Sequence, residues 1–260
     1  MKSNPLATCA FLTLLGASCV DRPEPEVTSS VQELATDNGL PAINGLNTQN
    51  GLNTQNGLNT LNGLNTQNGL TNGVGLMSTA LGRTTVAYLV RCALPAGRAV
   101  TKKDQYGTSY TFAGAIGVGP AWETGTCDTR CQEWISACMV AHINTAGVHI
   151  PLWITARPDY QPQIGWGLSS SYPNQEGSFF GNIFVSPPAM YYCSGRNFDV
   201  NAVPGRIGYT GYTSPFVNPF GFNAQCDQNC EKPDNPNSAS GYKNCGNNEA
   251  YKAVITVWRQ

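Results

Sequence analysis

Cysteines are the feature of this chain that most constrains its fold. Two of the ten, Cys9 and Cys19, lie near the N-terminus, and the other eight follow residue 83. An even number of cysteines in an exported domain predicts a disulfide framework, because an oxidising compartment keeps thiols paired. We therefore expect four disulfides, whose pairing the spacing leaves open, among Cys92, Cys127, Cys131, Cys138, Cys193, Cys226, Cys230 and Cys245.

The N-terminus has the pattern of a secretory signal. Lys2 precedes an apolar run over 6–17, with small residues after it, and such a run is too short to span a bilayer. The Leu-Gly-Ala-Ser-Cys sequence that ends at Cys19 resembles the lipobox of bacterial lipoproteins, whose cysteine is acylated and becomes the new N-terminus; Gly16 departs from the aliphatic residue preferred there. We predict a signal peptide over 1–18 and a lipid on Cys19. Ordinary cleavage before that cysteine is the alternative.

A six-residue repeat, Asn-Gly-Leu-Asn-Thr-Gln, follows. No charged residue occurs between Asp37 and Arg83, and each Asn-Gly pair is a turn signal. This pattern predicts a low-complexity tether over 19–82 that acts as a disordered spacer. A self-associating tract and a short β-helix are the alternatives. The repeat leucines are Leu46, Leu52, Leu58, Leu64, Leu70 and Leu76.

The remaining segment, 83–260, carries every tryptophan and every tyrosine of the chain. Large aromatic side chains dominate core burial, so we predict one globular domain there. The formal net charge of −1 argues against nucleic acid as a partner, because that class of partner requires a basic footprint.

The secondary-structure pattern predicts an α+β domain that is rich in strands. One main helix is expected over about 129–146, with Thr129 and Gln132 at capping-box spacing. Its inward face would carry Trp134, Cys138 and His142. Segments rich in Thr, Val, Tyr and Phe predict strands at 85–92, 106–117, 149–155, 178–185, 189–192 and 253–258.

Three segments resemble uncharacterised exported proteins of myxobacteria. They read Leu-Val-Arg-Cys-Ala-Leu-Pro-Ala-Gly at 89–97, Cys-Gln-Glu-Trp-Ile-Ser-Ala-Cys at 131–138 and Glu-Gly-Ser-Phe-Phe-Gly-Asn-Ile-Phe at 176–184. The resemblance implies export of a cysteine-rich domain and carries no activity or functional residue.

No nucleophile elbow, zinc-protease motif, phosphate loop or dinucleotide fingerprint occurs in the chain. Glu176 is the one carboxylate that we nominate as a general acid, with Asp159 or Asp199 as its partner in a hydrolase. Of the two histidines, His142 is expected to be hydrogen-bonded on the helix face, and His149 is expected on a strand.

Two groups of residues have the side-chain types of metal ligands. Cys127, Cys131, Cys138 and His142 have the types and spacing of zinc ligands, but export favours disulfides. The alternating oxygen donors Asp227, Asn229 and Glu231 suggest a calcium loop, with a solvated loop as the alternative. We predict no resident metal or cofactor.

Composition favours binding over catalysis. The domain has many aromatic, Asn, Gly and Ser residues and few charges, a composition that suits contact with carbohydrate. The candidate binding residues are Trp166, Tyr172, Tyr209 and Tyr212. We expect an outer-membrane, cell-surface or secreted lipoprotein with a binding or structural role, whose partners are the membrane and an extracellular polysaccharide or matrix. The alternative is an extracellular hydrolase of polysaccharide or peptide.

Overall fold

The fold is α+β, as the sequence predicts, with two main helices and two antiparallel sheets in the part of the chain that the computed structural model describes. Contacts between Cα atoms group Glu33–Gln260 into one unit. The predicted signal, Cys19 and most of the repeat lie outside the described residues. Those residues are the backbone of 35–36, Leu64, Leu70, 75–143, 151–156, Ile164, 169–185, 188–196, 225–232, 241–246 and 250–260.

The elements follow one another in a simple order. The strands are β1 (Ala35–Thr36), β2 (Ala99–Lys103), β3 (Ser109–Ala113), β4 (Leu152–Thr155), β5 (Asn174–Asn182), β6 (Ala189–Ser194) and β7 (Ile255–Arg259). The helices are α1 (Ala80–Ala93), α2 (Thr129–Ala141) and the single turn α3 (Cys226–Asn229), with 3₁₀ turns at Gly75–Ser78 and Pro120–Glu123.

The main sheet has the strand order β1-β4-β7-β5-β6, and all its pairs are antiparallel. Strands were predicted close to β4, β5, β6 and β7. β5 contains a bulge, because Gln175 pairs with Trp258 while Gly177 pairs with the next partner, Val257. Glu176 is therefore the extra residue of the bulge.

Helix α2 confirms the one main helix that the sequence predicts, although its N-cap differs and it ends at Ala141. The N-cap is Asp128, whose carboxylate accepts a hydrogen bond of 2.8 Å from the backbone N–H of Cys131. Thr129 is the first helical residue, and the Gln132 amide instead donates to the Cys127 carbonyl. Trp134 and Cys138 point inward as expected.

The strand predicted at 85–92 is wrong, because these residues belong to helix α1. The Thr79 hydroxyl accepts from the Gly82 N–H and caps the helix. Val86, Leu89 and Val90 then share a buried face at helical spacing. The β-branched residues of this segment favour a strand locally, and packing against α2 and β3 overrides that preference.

All eight domain cysteines are paired, which confirms the four predicted disulfides. Cys92–Cys138 joins α1 to α2, and Cys127–Cys131 closes the loop before α2. Cys193–Cys226 joins β6 to α3, and Cys230–Cys245 joins the end of α3 to the segment that leads into β7.

The main sheet is covered on both faces. Phe179 of β5 packs in the core formed with the helices, whereas its neighbour Phe180 packs on the opposite face against Tyr242 and the disulfide pairs of α3. Successive residues of a strand point to opposite faces, so β5 contributes side chains to the packing on both faces of the sheet.

Part of the predicted tether lies in the core. The side chains of Leu64, Leu70 and Leu76, spaced six residues apart, are all buried in the main core. The Leu64 N–H also donates a hydrogen bond of 2.7 Å to the carbonyl of Trp122. A Cβ at Gly82 would overlap the Leu76 carbonyl oxygen, so glycine there allows the chain before α1 to approach the helix closely. These repeat leucines therefore contribute to the hydrophobic core.

Candidate functional site

The carboxylate nominated as a general acid is buried in the main sheet. Both side chains of the Glu176–Arg259 ion pair are at most 3% exposed, and Arg259 Nε lies 3.8 Å from Glu176 Oε1. The bulge in β5 places this carboxylate beside the last residue of β7. Such a position suits a structural ion pair, and it removes the solvent access that a general acid for a polymeric substrate requires.

One of the four candidate binding aromatics falls in the described residues, and it is not a surface ring. Tyr172 is 8% exposed and stacks on Trp153, with ring centroids 6.0 Å apart and planes inclined by 27°. Its face is therefore covered by protein. Trp166, Tyr209 and Tyr212 lie outside the described residues, as do Asp159, Asp199 and His149.

The oxygen donors proposed for calcium bond to different groups. The Asp227 carboxylate accepts from Tyr242 at 2.5 Å and from Arg196 at 3.2 Å. Burial alone would raise the pKa of Asp227, but these two hydrogen bonds and the nearby cations hold it below its usual value.

Glu231 pairs with Lys243 at 2.8 Å, and the Asn229 amide donates to a backbone carbonyl. In the described part of the chain, Asp227 and Glu231 belong to no group of three metal-ligating side chains. These contacts engage the side chains proposed as calcium ligands, and the calcium interpretation of this loop stays a prediction.

The zinc alternative is excluded by the disulfides that its cysteines form. Cys127 pairs with Cys131, and Cys138 pairs with Cys92. His142 is fully buried at the end of α2, where its Nδ1 lies 2.7 Å from the Cys138 carbonyl oxygen and donates to it. The expectation of a hydrogen-bonded histidine on this helix is confirmed.

The most exposed large apolar side chain among the described residues is one that the sequence analysis did not nominate. Tyr106 is 84% exposed at the tip of the hairpin formed by β2 and β3. Burial of such a ring stabilises a contact by about 1.5–3 kcal/mol, so this largely exposed ring is a candidate contact for a ligand.

The hairpin tip is held rigidly below this ring. Asp104 Oδ1 accepts hydrogen bonds of 2.9 Å from the backbone N–H groups of Tyr106 and Thr108, and its Oδ2 accepts from the Tyr110 hydroxyl at 3.2 Å. Gly107 has a φ of 81°, which a side chain would strain. Burial alone would raise the pKa of Asp104, but these hydrogen bonds and the charge of Arg83 hold it below its usual value. The carboxylate thus stays ionised and keeps the tip ordered.

The tip also contacts the start of α1. The Gln105 amide donates to the Ser78 carbonyl at 3.0 Å. Arg83 stacks on Tyr110, with its guanidinium carbon 4.6 Å from the ring centroid, and donates to the Met77 carbonyl. β3 therefore runs along α1 from the tip, and the two elements form a seam.

A groove of about 490 Å³ opens further along this seam. Its walls are Ala87, Tyr88 and Arg91 of α1 and the segment 111–115 at the end of β3. Tyr88 and Arg91 are half-buried in the wall. The groove therefore offers an aromatic ring, a guanidinium and small side chains.

The groove is preformed because the loop after β3 caps helix α1. The last helical carbonyls have no partner within a helix. The loop after β3 supplies three backbone donors to these carbonyls. The Ile116 N–H donates to Arg91 at 2.8 Å, the Val118 N–H donates to Cys92 at 2.9 Å, and the Gly119 N–H donates to Ala93 at 3.0 Å. A Cβ at Gly114 would meet the Pro95 oxygen at 2.5 Å, so glycine permits this docking.

Positive charge is concentrated on this part of the chain. Segment 75–123 contains five basic residues and two acidic ones, Asp104 and Glu123, although the whole chain has a formal charge of −1. Glu123 pairs with Arg98 at 2.6 Å. Burial lowers the pKa of Lys102. The basic residues are Arg83, Arg91, Arg98, Lys102 and Lys103.

We call the surface formed by Tyr106, the seam and the groove the helix–hairpin face. The sequence contains a signal for its tip, since Asp104 and Gly107 bracket a turn between two segments of strand-forming residues. Tyr106 was instead assigned to the strand predicted at 106–117, so the turn itself was not predicted. The groove has no such signal, because it depends on α1 being a helix.

Comparison of the chain with models of protein families, with curated proteins and with solved structures gives no match. Among the described residues, no helix has the length and apolar character to cross a membrane.

Proposed function

We propose that this protein is an exported lipoprotein whose disulfide-bonded domain binds carbohydrate through the helix–hairpin face. The observation that carries the proposal is Tyr106, an exposed aromatic ring on a rigid turn. A ring presented in this way covers the apolar face of a sugar and loses little conformational entropy on binding. The lipid on Cys19, the cell-surface location and the likeness to exported proteins of myxobacteria are parts of the same proposal.

Two further features of the face support a saccharide ligand. The groove places the Tyr88 ring beside the Arg91 guanidinium, and small ligands are held in such clefts by apolar walls and a few polar groups. The excess of basic residues over 75–123 favours a polysaccharide that carries carboxylates. Arginine binds a carboxylate with two parallel hydrogen bonds.

The alternative hydrolase has less support, because its nominated acid, Glu176, is buried in an ion pair with Arg259. Binding accordingly has the better support.

The test is retention of the full chain, purified in detergent, on immobilised polysaccharides. We expect retention on an acidic polymer such as alginate to exceed that on the neutral polymer dextran, and to fall with added salt because exposed charges are screened. Tyr106→Ala should weaken retention about two- to tenfold, the effect of about 0.5–1.5 kcal/mol of ring contact.

Val185→Ala is the matched control, since Val185 is an exposed apolar residue after β5. Arg91→Gln should reduce binding to alginate and leave any binding to dextran unchanged. Equal retention of the Tyr106→Ala variant and the wild type would contradict the proposed site. Release of soluble sugars from either polymer would instead support the hydrolase.

A further inference from the structure

Two of the four disulfides lie against each other. Cys193 pairs with Cys226, and Cys230 pairs with Cys245. The Sγ atoms of Cys193 and Cys230, which belong to different disulfides, are 3.7 Å apart. The sulfurs of Cys193, Cys226 and Cys230 all lie within 4.8 Å of one another. The 3.7 Å separation of the Cys193 and Cys230 sulfurs is contact distance for two sulfur atoms.

The local fold explains this arrangement. Cys226 and Cys230 stand four residues apart on the turn of α3, and the Cys230 N–H donates to the Cys226 carbonyl at 2.9 Å. One helical turn therefore places both sulfurs on the same side. An isolated bridge between Ser194 and Gln225 holds the start of this turn against the end of β6, next to Cys193.

The four cysteine residues differ in exposure. Cys193, Cys226 and Cys245 are fully buried, whereas Cys230 is half-buried. A thiol in solution therefore reaches this cluster through Cys230. Exchange between thiols and disulfides depends on such access and on which sulfur is attacked.

We propose that these four cysteines form a thiol–disulfide exchange site that takes small thiols as co-reactants. A thiolate attacks Cys230 Sγ, the bond to Cys245 breaks, and Cys245 leaves as a thiolate that takes up a proton. A second thiolate attacks the external sulfur of the mixed disulfide. This step releases Cys230 as a thiolate and gives the oxidised form of the small thiol.

The cluster then rearranges internally. Cys230 Sγ attacks Cys193 Sγ, which it already contacts, and a Cys193–Cys230 bond forms as the Cys193–Cys226 bond breaks. Cys226 leaves as a thiolate and takes up a proton. Two small thiols have been oxidised to one disulfide, and the protein has lost one disulfide and gained two thiols, on Cys226 and Cys245. A covalent link from Cys193 of β6 to Cys226, the first residue of α3, or to Cys230, the residue after α3, persists throughout, so reduction does not detach this layer from the sheet.

Cys245→Ser tests the internal step without a reductant, because it leaves Cys230 as a thiol beside the intact Cys193–Cys226 bond. The purified full chain is incubated at pH 8 for hours, the time range of disulfide reshuffling. It is then alkylated, and its peptides are mapped by mass spectrometry. We expect label on both Cys226 and Cys230, together with a Cys193–Cys230 peptide. Label on Cys230 alone would overturn the proposal.

Cys127→Ser is the matched control. It frees Cys131, which is half-buried like Cys230 and whose disulfide partner, Cys127, is four residues away. Among the described residues, the sulfur of Cys131 belongs to no cluster with a second disulfide. We expect label on Cys131 alone. Scrambled label in this control would show that exchange does not require the cluster and would overturn the assignment.

Partial reduction of the wild-type chain gives a second measurement that does not depend on the folding of a variant. The full chain is treated with limiting dithiothreitol, alkylated and mapped. Among molecules labelled on Cys245, the second label should lie on Cys226 in a measurable share. If the second label always lies on Cys230, with Cys193–Cys226 intact, the internal step does not occur. The result is independent of carbohydrate binding, because none of these cysteines contributes to the helix–hairpin face.

Discussion

Replacing Leu70 with alanine should destabilise the domain strongly, although Leu70 belongs to the low-complexity repeat. Its side chain is 1% exposed and lies in the main core. Truncation of a buried leucine to alanine costs about 2–5 kcal/mol, because apolar contacts are lost and a cavity remains. In a domain of this size, one kcal/mol shifts the melting temperature by about 2–4 °C. The expected decrease is therefore roughly 4–20 °C.

The assay is thermal unfolding of the oxidised full chain, followed by circular dichroism in the far ultraviolet. Leu81→Ala is the matched control, because Leu81 is 49% exposed in the first turn of α1 and should change the free energy of unfolding by less than about 0.5 kcal/mol. Equal melting temperatures for Leu70→Ala and Leu81→Ala would refute the packing of the repeat on the core. The segment 19–82 would then behave as the independent spacer that the sequence predicts.

Three further predictions concern the ion pair, the tyrosines and the lipid. Glu176→Gln should lower the free energy of unfolding by about 3–5 kcal/mol, since it removes the charge that faces the buried Arg259 guanidinium; a loss below about 1 kcal/mol in urea denaturation would contradict the structural role. Burial, together with a hydrogen bond to Tyr191, raises the pKa of Tyr251 to about 12. The stability that Tyr251 contributes is therefore complete below pH 10 and is lost as the pH rises toward 12. Tyr251→Phe should reduce that alkaline loss in urea titrations, and an unchanged pH profile would exclude this tyrosine as its source. Cys19→Ala should abolish labelling with radioactive palmitate, and persistent labelling would place the lipid on another residue.

The sequence predicted the elements whose signals are local. Helix α2 follows from its apolar spacing, and strands β5, β6 and β7 follow from their aromatic and β-branched residues. The even number of cysteines, together with the predicted export, likewise predicted complete pairing. The pairing itself was not predictable, because Cys92 and Cys138 meet only when α1 packs on α2.

The errors have a common physical cause, which is tertiary contact that local patterns do not contain. Residues 85–92 have strand-forming side chains, yet a cap at Thr79 and a buried face make them helical. The repeat leucines stand among Asn-Gly turn signals, and only the distant carbonyl of Trp122 and the core around it show that Leu64 is anchored. Glu176 was nominated from its own segment, which does not show that the bulge in β5 places it beside Arg259.

The candidate site likewise has one part that local sequence signals indicate and one part that depends on tertiary contact. Asp104 and Gly107 mark the turn that presents Tyr106, so the tip was within reach of sequence reasoning. The groove beside Arg91 was not, because it lies between a helix that the sequence misassigned and the strand that packs on it. Tyr172 was a reasonable candidate by residue type, but the type of an aromatic residue does not reveal whether its face is covered.

Titration calorimetry of the full chain with an acidic oligosaccharide is the most direct test of carbohydrate binding at the helix–hairpin face. Two variants of one residue, Tyr106→Ala and Tyr106→Phe, separate the ring from its hydroxyl. We expect Tyr106→Phe to bind like the wild type and Tyr106→Ala to bind about two- to tenfold more weakly, with all three melting temperatures unchanged, because the exposed ring contributes nothing to the core. Equal affinities for Tyr106→Ala and Tyr106→Phe would contradict the central claim.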